Sequence, residues 1–270
     1  MLRFAVVGSP VAHSKSPTIH ALFGRQTGVN LKYDAEEVCA QSFDNFVIQF
    51  FARGGAGLNV TLPHKERAKK IAVNLEPLAK RAGAVNTLFV NSKQEICGDN
   101  TDGPGLVADI KVNNEIDIEG KDVLLLGAGG AIRGVLAPLI NEHPSSVTIV
   151  NRTISKAELL KKEFSEALDI QITNYENLKG SFDLIINGTS SGITGEVPPL
   201  REENISANTY CYDMMYGDKE TDFIAWAKSK GVRNTSDGLG MLVEQAAESF
   251  FRWHRLRPST REVMRQLRAS

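Results

Sequence analysis

Residues 123–133, VLLLGAGGAIR, constrain the fold of this chain more than any other stretch. An apolar run from Val123 to Leu126 leads into Gly127, Ala128, Gly129, Gly130 and Ala131, and a helical pattern follows. Strand, glycine turn and helix in that order make a phosphate-binding βα unit. Gly127 permits the tight turn, Gly129 lets the backbone approach a pyrophosphate, and the helix N-terminus offers free N–H groups and positive dipole. The usual spacing is G-x-G-x-x-G/A. Ile132 stands at the third small position here, with small Gly130 and Ala131 just before it, so the pattern is not fully met. The unit begins mid-chain, so other structure precedes it, and that structure is expected to carry the substrate.

The next strand sharpens the reading. Ser146–Val150 is short and β-branched, and it ends at Asn151-Arg152-Thr153. A site selective for NAD places an acidic residue at this point to accept from the ribose 2′-hydroxyl, whereas an arginine suits a 2′-phosphate. Arg152 can pair with that phosphate and lay its flat guanidinium over adenine; Thr153 adds a hydroxyl and Lys156 a second charge. NADP is therefore the expected cofactor.

Composition bounds the alternatives. Of 270 residues, 42% are hydrophobic and 23% charged, and 31 basic against 32 acidic side chains give a net charge of −1. That is an ordinary globular balance, with no basic nucleic-acid surface and no membrane-binding face. No run has the apolar length of a membrane span. The opening MLRFAVVGSP reads as a first strand and not as a signal peptide. Cys39, Cys97 and Cys211 are widely spaced and outside any CxxC, as reduced cytoplasmic thiols are. His13, His20, His64, His143 and His254 show no metal-ligand spacing, so no metal is expected.

Strands and helices alternate throughout, which argues for α/β architecture with largely parallel sheets. Strands are expected at Arg3–Gly8, Tyr33–Val38, Gly57–Leu62, Asn86–Val90, Glu95–Asp99, Asp183–Asn187 and Thr209–Asp213. Helices are expected at Pro17–Gly24, Phe43–Arg53, from Pro63 through Lys70, at Glu76–Arg81, Asp102–Lys111, Lys156–Leu168 and Asp222–Lys230, with a final one at Leu239–Arg255. Four polar clusters in the first part exceed what packing requires. They are His13-Ser14-Lys15-Ser16-Pro17, Asn59-Val60-Thr61 with Lys65, Asn86-Thr87, and Asp99 to Gly103. Ser16 also suits a helix N-cap. The clusters fall at the ends of expected strands, where ligands sit in open α/β sheets. Their amides, hydroxyls and few charges match a polyhydroxylated acid.

The motifs GSPVAHSKSP, NVTLPHK, AGAVNT, DNTDG, LLGAGGAIR, NRT, NGTSSGI, YDMMYG and DGLGMLVEQAA occur in this order along nearly the whole chain. Together they resemble the shikimate dehydrogenase family. The resemblance implies NADP(H)-dependent interconversion of 3-dehydroshikimate and shikimate in chorismate and aromatic amino acid biosynthesis. It implies two α/β domains separated by a cleft: an N-terminal substrate domain with a mainly parallel sheet, and a Rossmann-like NADP-binding domain. The first would be discontinuous, residues 1–102 plus 239–270, and the second would span 103–238. Lys65 and Asp102 would form the catalytic pair. Ser14, Ser16, Asn59, Thr61, Asn86 and Gln245 would bind substrate, with Tyr216 closing over it. Gly127, Ala128, Gly129, Gly130 and Ala131 would take the pyrophosphate. Asn151, Arg152, Thr153 and Lys156 would hold the adenosine phosphate. Met214 and Gly238 would flank the nicotinamide. Thr189, in the segment Asn187 to Ser191 after the apolar strand Asp183–Ile186, is expected to border the cofactor, although a plain strand-to-loop turn reads the same way. His64 is given no role. The expected partner is a small-molecule substrate in the cytoplasm, with neither nucleic acid nor membrane involved; a homodimer is left open.

Two rivals weigh less. A binding or regulatory protein without turnover has no need of Lys65 and Asp102 together. An NAD-linked quinate dehydrogenase does not account for Arg152, and an enzyme acting on folate derivatives does not account for Ser14, Ser16, Asn86 and Asp102. Replacing Arg152 by alanine is expected to raise the KM for NADP⁺ far more than that for NAD⁺. A lost charge-assisted bond of roughly 1.5–3 kcal/mol corresponds to about 10- to 100-fold. Equal losses with both cofactors would show that Arg152 does not read the phosphate.

Overall fold

A computed structural model describes residues 1–164, 169–189 and 196–269. The chain divides into two compact units, Met1–Gly105 with Leu242–Ser270, and Leu106–Met241.

The first unit runs β1 (Leu2–Gly8), α1 (Ser16–Thr27), β2 (Leu31–Glu37), α2 (Phe43–Ala52), β3 (Gly55–Val60), α3 (Lys65–Ile71), β4 (Asn74–Leu75), α4 (Pro77–Ala82), β5 (Thr87–Val90) and β6 (Ile96–Asp99), and opens α5 (Asp102–Ala108). Its six strands lie in the order β2-β1-β3-β5-β6-β4. Only β5 runs against its neighbours, so the sheet is mainly parallel. From Phe4 to Val7 β1 reads as an unbroken apolar run because both faces are covered there. Ala5 and Val7 pack with Phe43, Val47, Leu58 and Val60, while Phe4 and Val6 pack with Tyr33 and Trp253.

The second unit contains β7 (Asp122–Leu126), α6 (Gly130–Ile140), β8 (Ser146–Val150), α7 (Ile154–Phe164), β9 (Ile170–Thr173), β10 (Leu184–Asn187), β11 (Tyr210–Asp213), α8 (Asp222–Ser229) and β12 (Asn234–Ser236). Its strand order, β12-β11-β10-β7-β8-β9, is parallel throughout. Renumbered within the unit this is 3-2-1-4-5-6, the doubly wound dinucleotide-binding order, with its switch point between β7 and β10. The chain then returns to the first unit through α9 (Leu239–His254) and ends in α10 (Thr260–Ala269). No described helix is long and apolar enough to cross a membrane.

Several elements differ from the sequence expectation. The helix expected from Pro63 starts at Lys65, and that expected at Glu76 starts at Pro77. The helix from Asp102 stops as an α-helix at Ala108 and widens into a π-helical turn at Asp109–Asn113. The helix expected at Lys156–Leu168 begins at Ile154, and residues 165–168 lie outside the described ones. β4, β9, β12 and α10 were not anticipated. The strands are only two to four residues long, and α10 buries Val263 and Leu267 in an otherwise charged segment.

α9 covers one face of the first sheet with an aromatic cluster. Trp253 lies 4.7 Å from the Phe4 ring, and His20 stacks on Tyr33 at 4.2 Å and 5°. His20 is 1% exposed, and among the described residues neither ring nitrogen has a hydrogen-bond partner. Burial, aided by nearby His254, lowers its pKa to about 3. A histidine depressed in the folded state binds fewer protons than when unfolded, so its contribution is intact at neutral pH and is lost as pH falls. Between pH 7 and pH 5 the linkage amounts to about 2 kcal/mol. His20→Leu is expected to lose correspondingly less stability than wild type over that interval in urea melts. Equal losses in both proteins would show that His20 is not the group being protonated.

Candidate functional site

The loops after β1 and β3 meet at the carboxyl edge of the first sheet. Thr61 N–H donates to the Val7 carbonyl at 2.9 Å, and Ser9 N–H to the Leu62 carbonyl at 3.0 Å. The peptide bonds preceding Pro10 and Pro63 are both cis in these two loops. His64 N–H then bonds the Thr61 carbonyl at 2.9 Å, the turn that delivers Lys65 as first residue of α3. The His64 ring is buried and its Nε2 lies 2.7 Å from the Val38 carbonyl oxygen; since a carbonyl only accepts, Nε2 carries the proton and donates it.

Lys65 Nζ reaches Asp102 Oδ2 at 2.6 Å, with the lysine side chain 26% and the carboxylate 11% exposed. The other carboxylate oxygen, Oδ1, accepts from Asn86 Nδ2 at 2.8 Å. The orientation of that amide is fixed. Asn86 Oδ1 accepts the Thr101 backbone N–H at 2.9 Å, and a backbone N–H only donates, so Nδ2 must face Asp102. Nδ2 also lies 3.0 Å from Thr101 Oγ1 and 3.4 Å from Gln245 Oε1. Gln245 comes from α9, and Gly105 on α5 makes that approach possible: a Cβ there would fall within 3.0 Å of the Gln245 backbone. Four residues widely spread in sequence thus form one hydrogen-bonded group: Lys65, Asn86, Asp102 and Gln245.

The remaining expected substrate residues sit differently. Ser14 Oγ accepts from the Ser16 N–H at 3.3 Å, and Lys15, not Ser16, occupies the N-cap of α1. Ser16 is buried, with its side chain beside the Tyr33 hydroxyl. Thr61 is half-buried, its methyl turned to Gly8. Asn59 is 6% exposed, and its side chain is engaged entirely within the protein. Oδ1 accepts from Tyr33 OH at 2.8 Å, while Nδ2 faces the Asn86 carbonyl, Thr87 Oγ1 and Ser249 Oγ at 3.2, 3.2 and 2.9 Å. Asn59 therefore underpins the Asn86 backbone. Tyr216 belongs to the second unit and is half-buried there, and burial raises its hydroxyl pKa.

The sequence places Thr87 and Thr101 in its polar clusters, but sequence reasoning missed Ser249, which joins them beneath Asn86. Thr87, Thr101 and Ser249 are fully buried and in mutual contact, with Thr87–Ser249 at 2.8 Å and Thr101–Ser249 at 3.2 Å. The available signal was Ser249 one helical turn beyond Gln245.

In the second unit Gly127 adopts φ +100°, and its N–H bonds the Val150 carbonyl at 2.8 Å. Helix α6 begins at Gly130 with Gly129 as an extended N-cap, and a Cβ at either glycine would meet nothing within 4 Å. Free N–H groups at an open helix N-terminus fit a diphosphate. Ala128 and Ala131 flank this turn. Ile132 is fully buried, and a Cβ at Gly188 would collide with its side chain, so the small residue that lets helix and sheet approach sits on β10's loop instead of at position 132. Thr189 lies over the glycine turn, its methyl 3.2 Å from where a Gly127 Cβ would stand. Ser190 and Ser191 lie outside the described residues.

Arg152, Thr153 and Lys156 are exposed just beyond β8, and Asn151 Nδ2 holds the turn by donating to the Thr153 carbonyl at 2.7 Å. Met214 follows β11, and Gly238 N–H bonds the Met215 carbonyl at 2.9 Å. A Cβ at Gly238 would strike the Met214 carbonyl. The glycine turn, Thr189, Met214 and the cations after β8 all follow the carboxyl ends of parallel strands, the side on which such sheets bind nucleotides. Among the described residues no group of histidines, cysteines and carboxylates could hold a metal.

Three family profiles match the chain in succession. They are the shikimate dehydrogenase substrate binding domain over residues 6–88, shikimate / quinate 5-dehydrogenase over 107–204, and the shikimate 5′-dehydrogenase C-terminal domain over 238–268. The chain is 52% identical over 268 residues to a shikimate dehydrogenase (NADP(+)) of Aeromonas salmonicida, covering 99% of this chain and 98% of that one. It is 47% identical over 266 residues to one of Vibrio cholerae, covering 98% and 95%. Among solved structures it superposes on an Ael1 enzyme from Pseudomonas putida with TM-score 0.93 at 40% identity, covering 99% and 98%. It also superposes on shikimate 5-dehydrogenase from Thermus thermophilus in complex with NADP(H) and shikimate, with TM-score 0.87 at 33% identity, covering 98% and 99%. With matches along its whole length, the chain belongs to the shikimate dehydrogenase family.

Proposed function

We propose that this chain is an NADP-dependent oxidoreductase acting on a CH–OH group, reversibly reducing 3-dehydroshikimate to shikimate in chorismate and aromatic amino acid biosynthesis. The observation that carries the reading is the Lys65–Asp102 pair, locked in polarity by Asn86. Residues 1–102 with 239–270 form the substrate-binding part and 103–238 the NADP-binding part. Buried free cysteines support a reducing cytoplasmic setting.

Reduction of a ketone builds negative charge on its oxygen, and a positioned donor stabilises that charge. Lys65 has three N–H bonds, one of which is directed at Asp102. The others are available to the substrate oxygen. Asp102 keeps the ammonium in place and, with Asn86, accepts or donates to neighbouring substrate hydroxyls. Lys65 joins the proton transfer and Asp102 orients it. Ser14 and Ser16 hold the carboxylate through their hydroxyls, and Thr61, Gln245 and Tyr216 complete the substrate set. Asn59 takes part by positioning Asn86.

NADPH, when bound, supplies the hydride. Gly127 to Ala131 would hold its pyrophosphate at the α6 N-terminus, and Asn151, Arg152, Thr153 and Lys156 its 2′-phosphoadenosine. Thr189, Met214 and Gly238 would border the nicotinamide end. Gly129 and Gly130 fit this use, because the space where side chains would project is open.

Lys65→Met is expected to lower turnover by about two or more orders of magnitude, the scale of lost acid–base and electrostatic help, while shikimate binding weakens much less. A folded variant turning over within about threefold of wild type, far below that contribution, would remove Lys65 from the chemistry.

A further inference from the structure

We propose that Asp213 is a positioning residue of the cofactor-binding unit, setting Thr189 through the side chain of Asn187 and the loop bearing Met214 through its own bond to the Met215 N–H; the inference rests on the NADP reading above.

Asn187 and Asp213 close the adjacent parallel strands β10 and β11 and stand opposite each other in register. Both are 1% exposed. Asn187 Oδ1 accepts two donors from Thr189, the backbone N–H at 3.1 Å and the hydroxyl at 2.7 Å. A backbone N–H only donates, so this fixes the amide with its oxygen towards Thr189 and its nitrogen towards Asp213. Asp213 Oδ1 accepts from that nitrogen at 3.2 Å and from the Met215 N–H at 3.1 Å. One carboxylate oxygen thereby joins the two loops that follow β10 and β11. The backbone repeats the link, with Met214 N–H donating to the Asn187 carbonyl at 2.9 Å.

What these loops carry gives the link its meaning. Thr189 stands over Gly127, and Met214 Sδ lies 3.3 Å from where a Gly188 Cβ would be. Gly238 abuts the Met214 carbonyl, so the segment entering α9 is seated on the same loop. Burial raises the Asp213 carboxyl pKa, opposed by the Thr221 hydroxyl, the Met215 N–H and the Asn187 amide. No cation is among those opposing groups. A carboxyl buried without a cation is costly, and an apolar residue would pack the end of β11 more cheaply. Its contribution is a directional acceptor. Without it the buried Asn187 nitrogen has no acceptor and the amide is held from the Thr189 side alone, so the placement of Thr189 loosens.

The test separates the nicotinamide side of the site from its adenosine side. Affinities for NADP⁺ and for adenosine 2′,5′-bisphosphate are measured by calorimetry for wild type, Asp213→Leu, Asp213→Asn and Thr189→Val, with shikimate KM and melting curves alongside. Asparagine at 213 keeps an Oδ1 acceptor; leucine does not. Asp213→Leu is expected to weaken NADP⁺ by about tenfold or more while adenosine 2′,5′-bisphosphate changes by less than about twofold. Asp213→Asn should recover to within about threefold of wild type. Thr189→Val removes the hydroxyl bond to Asn187 and should shift NADP⁺ affinity in the same direction, which decides the matter if the leucine variant does not fold. Three results would overturn the inference: unchanged NADP⁺ affinity in the leucine or, where that fails to fold, the valine variant; equal weakening of both ligands; or an asparagine variant as poor as leucine. A wild type that binds adenosine 2′,5′-bisphosphate and NADP⁺ not at all would instead sink the cofactor reading, and this inference with it.

Discussion

The arrangement of the first unit's polar group depends on one backbone donor. The Thr101 N–H can bond only the oxygen of the Asn86 amide, and that single restriction propagates outward. It turns the amide nitrogen to Asp102 Oδ1, which leaves Asp102 Oδ2 for Lys65. If the amide were reversed, its oxygen would face a carboxylate, and two acceptors at 2.8 Å would repel. Buried networks of this kind are valuable only when every member is satisfied. The hydroxyls of Thr87, Thr101 and Ser249 supply the missing partners underneath, and Asn59 ties the same floor to β3 and to Tyr33.

Both units solve the same problem in the same way. A parallel strand delivers its carboxyl end to a loop, and the strand beside the switch point supplies the facing loop. In the first unit the loops after β1 and β3 are joined by paired backbone bonds around Thr61 and Ser9. In the second, Gly127 and Thr189 meet where β7 and β10 diverge. Apolar strands fully covered on both faces hold the backbone rigid up to that edge, so polar side chains a few residues later inherit a fixed position.

Much of this was legible in the sequence because it is local. Val123 to Gly130 announces its own strand, turn and helix, and alternation in Leu58-Asn59-Val60 announces β3. Lys65, Asn86 and Asp102 were found because each adjoins a strand end. What was not legible is mostly long-range. Nothing near Asn59 says that its amide will serve Ser249, which lies 190 residues away. β4, β9 and β12 are too short to show a period, and they form because a neighbouring edge offers them hydrogen bonds. α10 escaped because only Val263 and Leu267 of its length enter a core.

The departure at Ile132 shows how a broken motif is repaired in space. A third glycine after the turn normally lets the helix lie close to its sheet. Here a large, fully buried isoleucine fills that place, and the room for it comes from Gly188 on the adjacent strand's loop. The requirement belongs to the contact and not to either position, so one small partner suffices. The exchange also binds the glycine turn to the loop bearing Thr189: Ile132 on α6 can seat only if Gly188 stays where β10 leaves it. Close packing of helix against strand and placement of the loop are therefore one constraint, met by two residues that no linear pattern would pair.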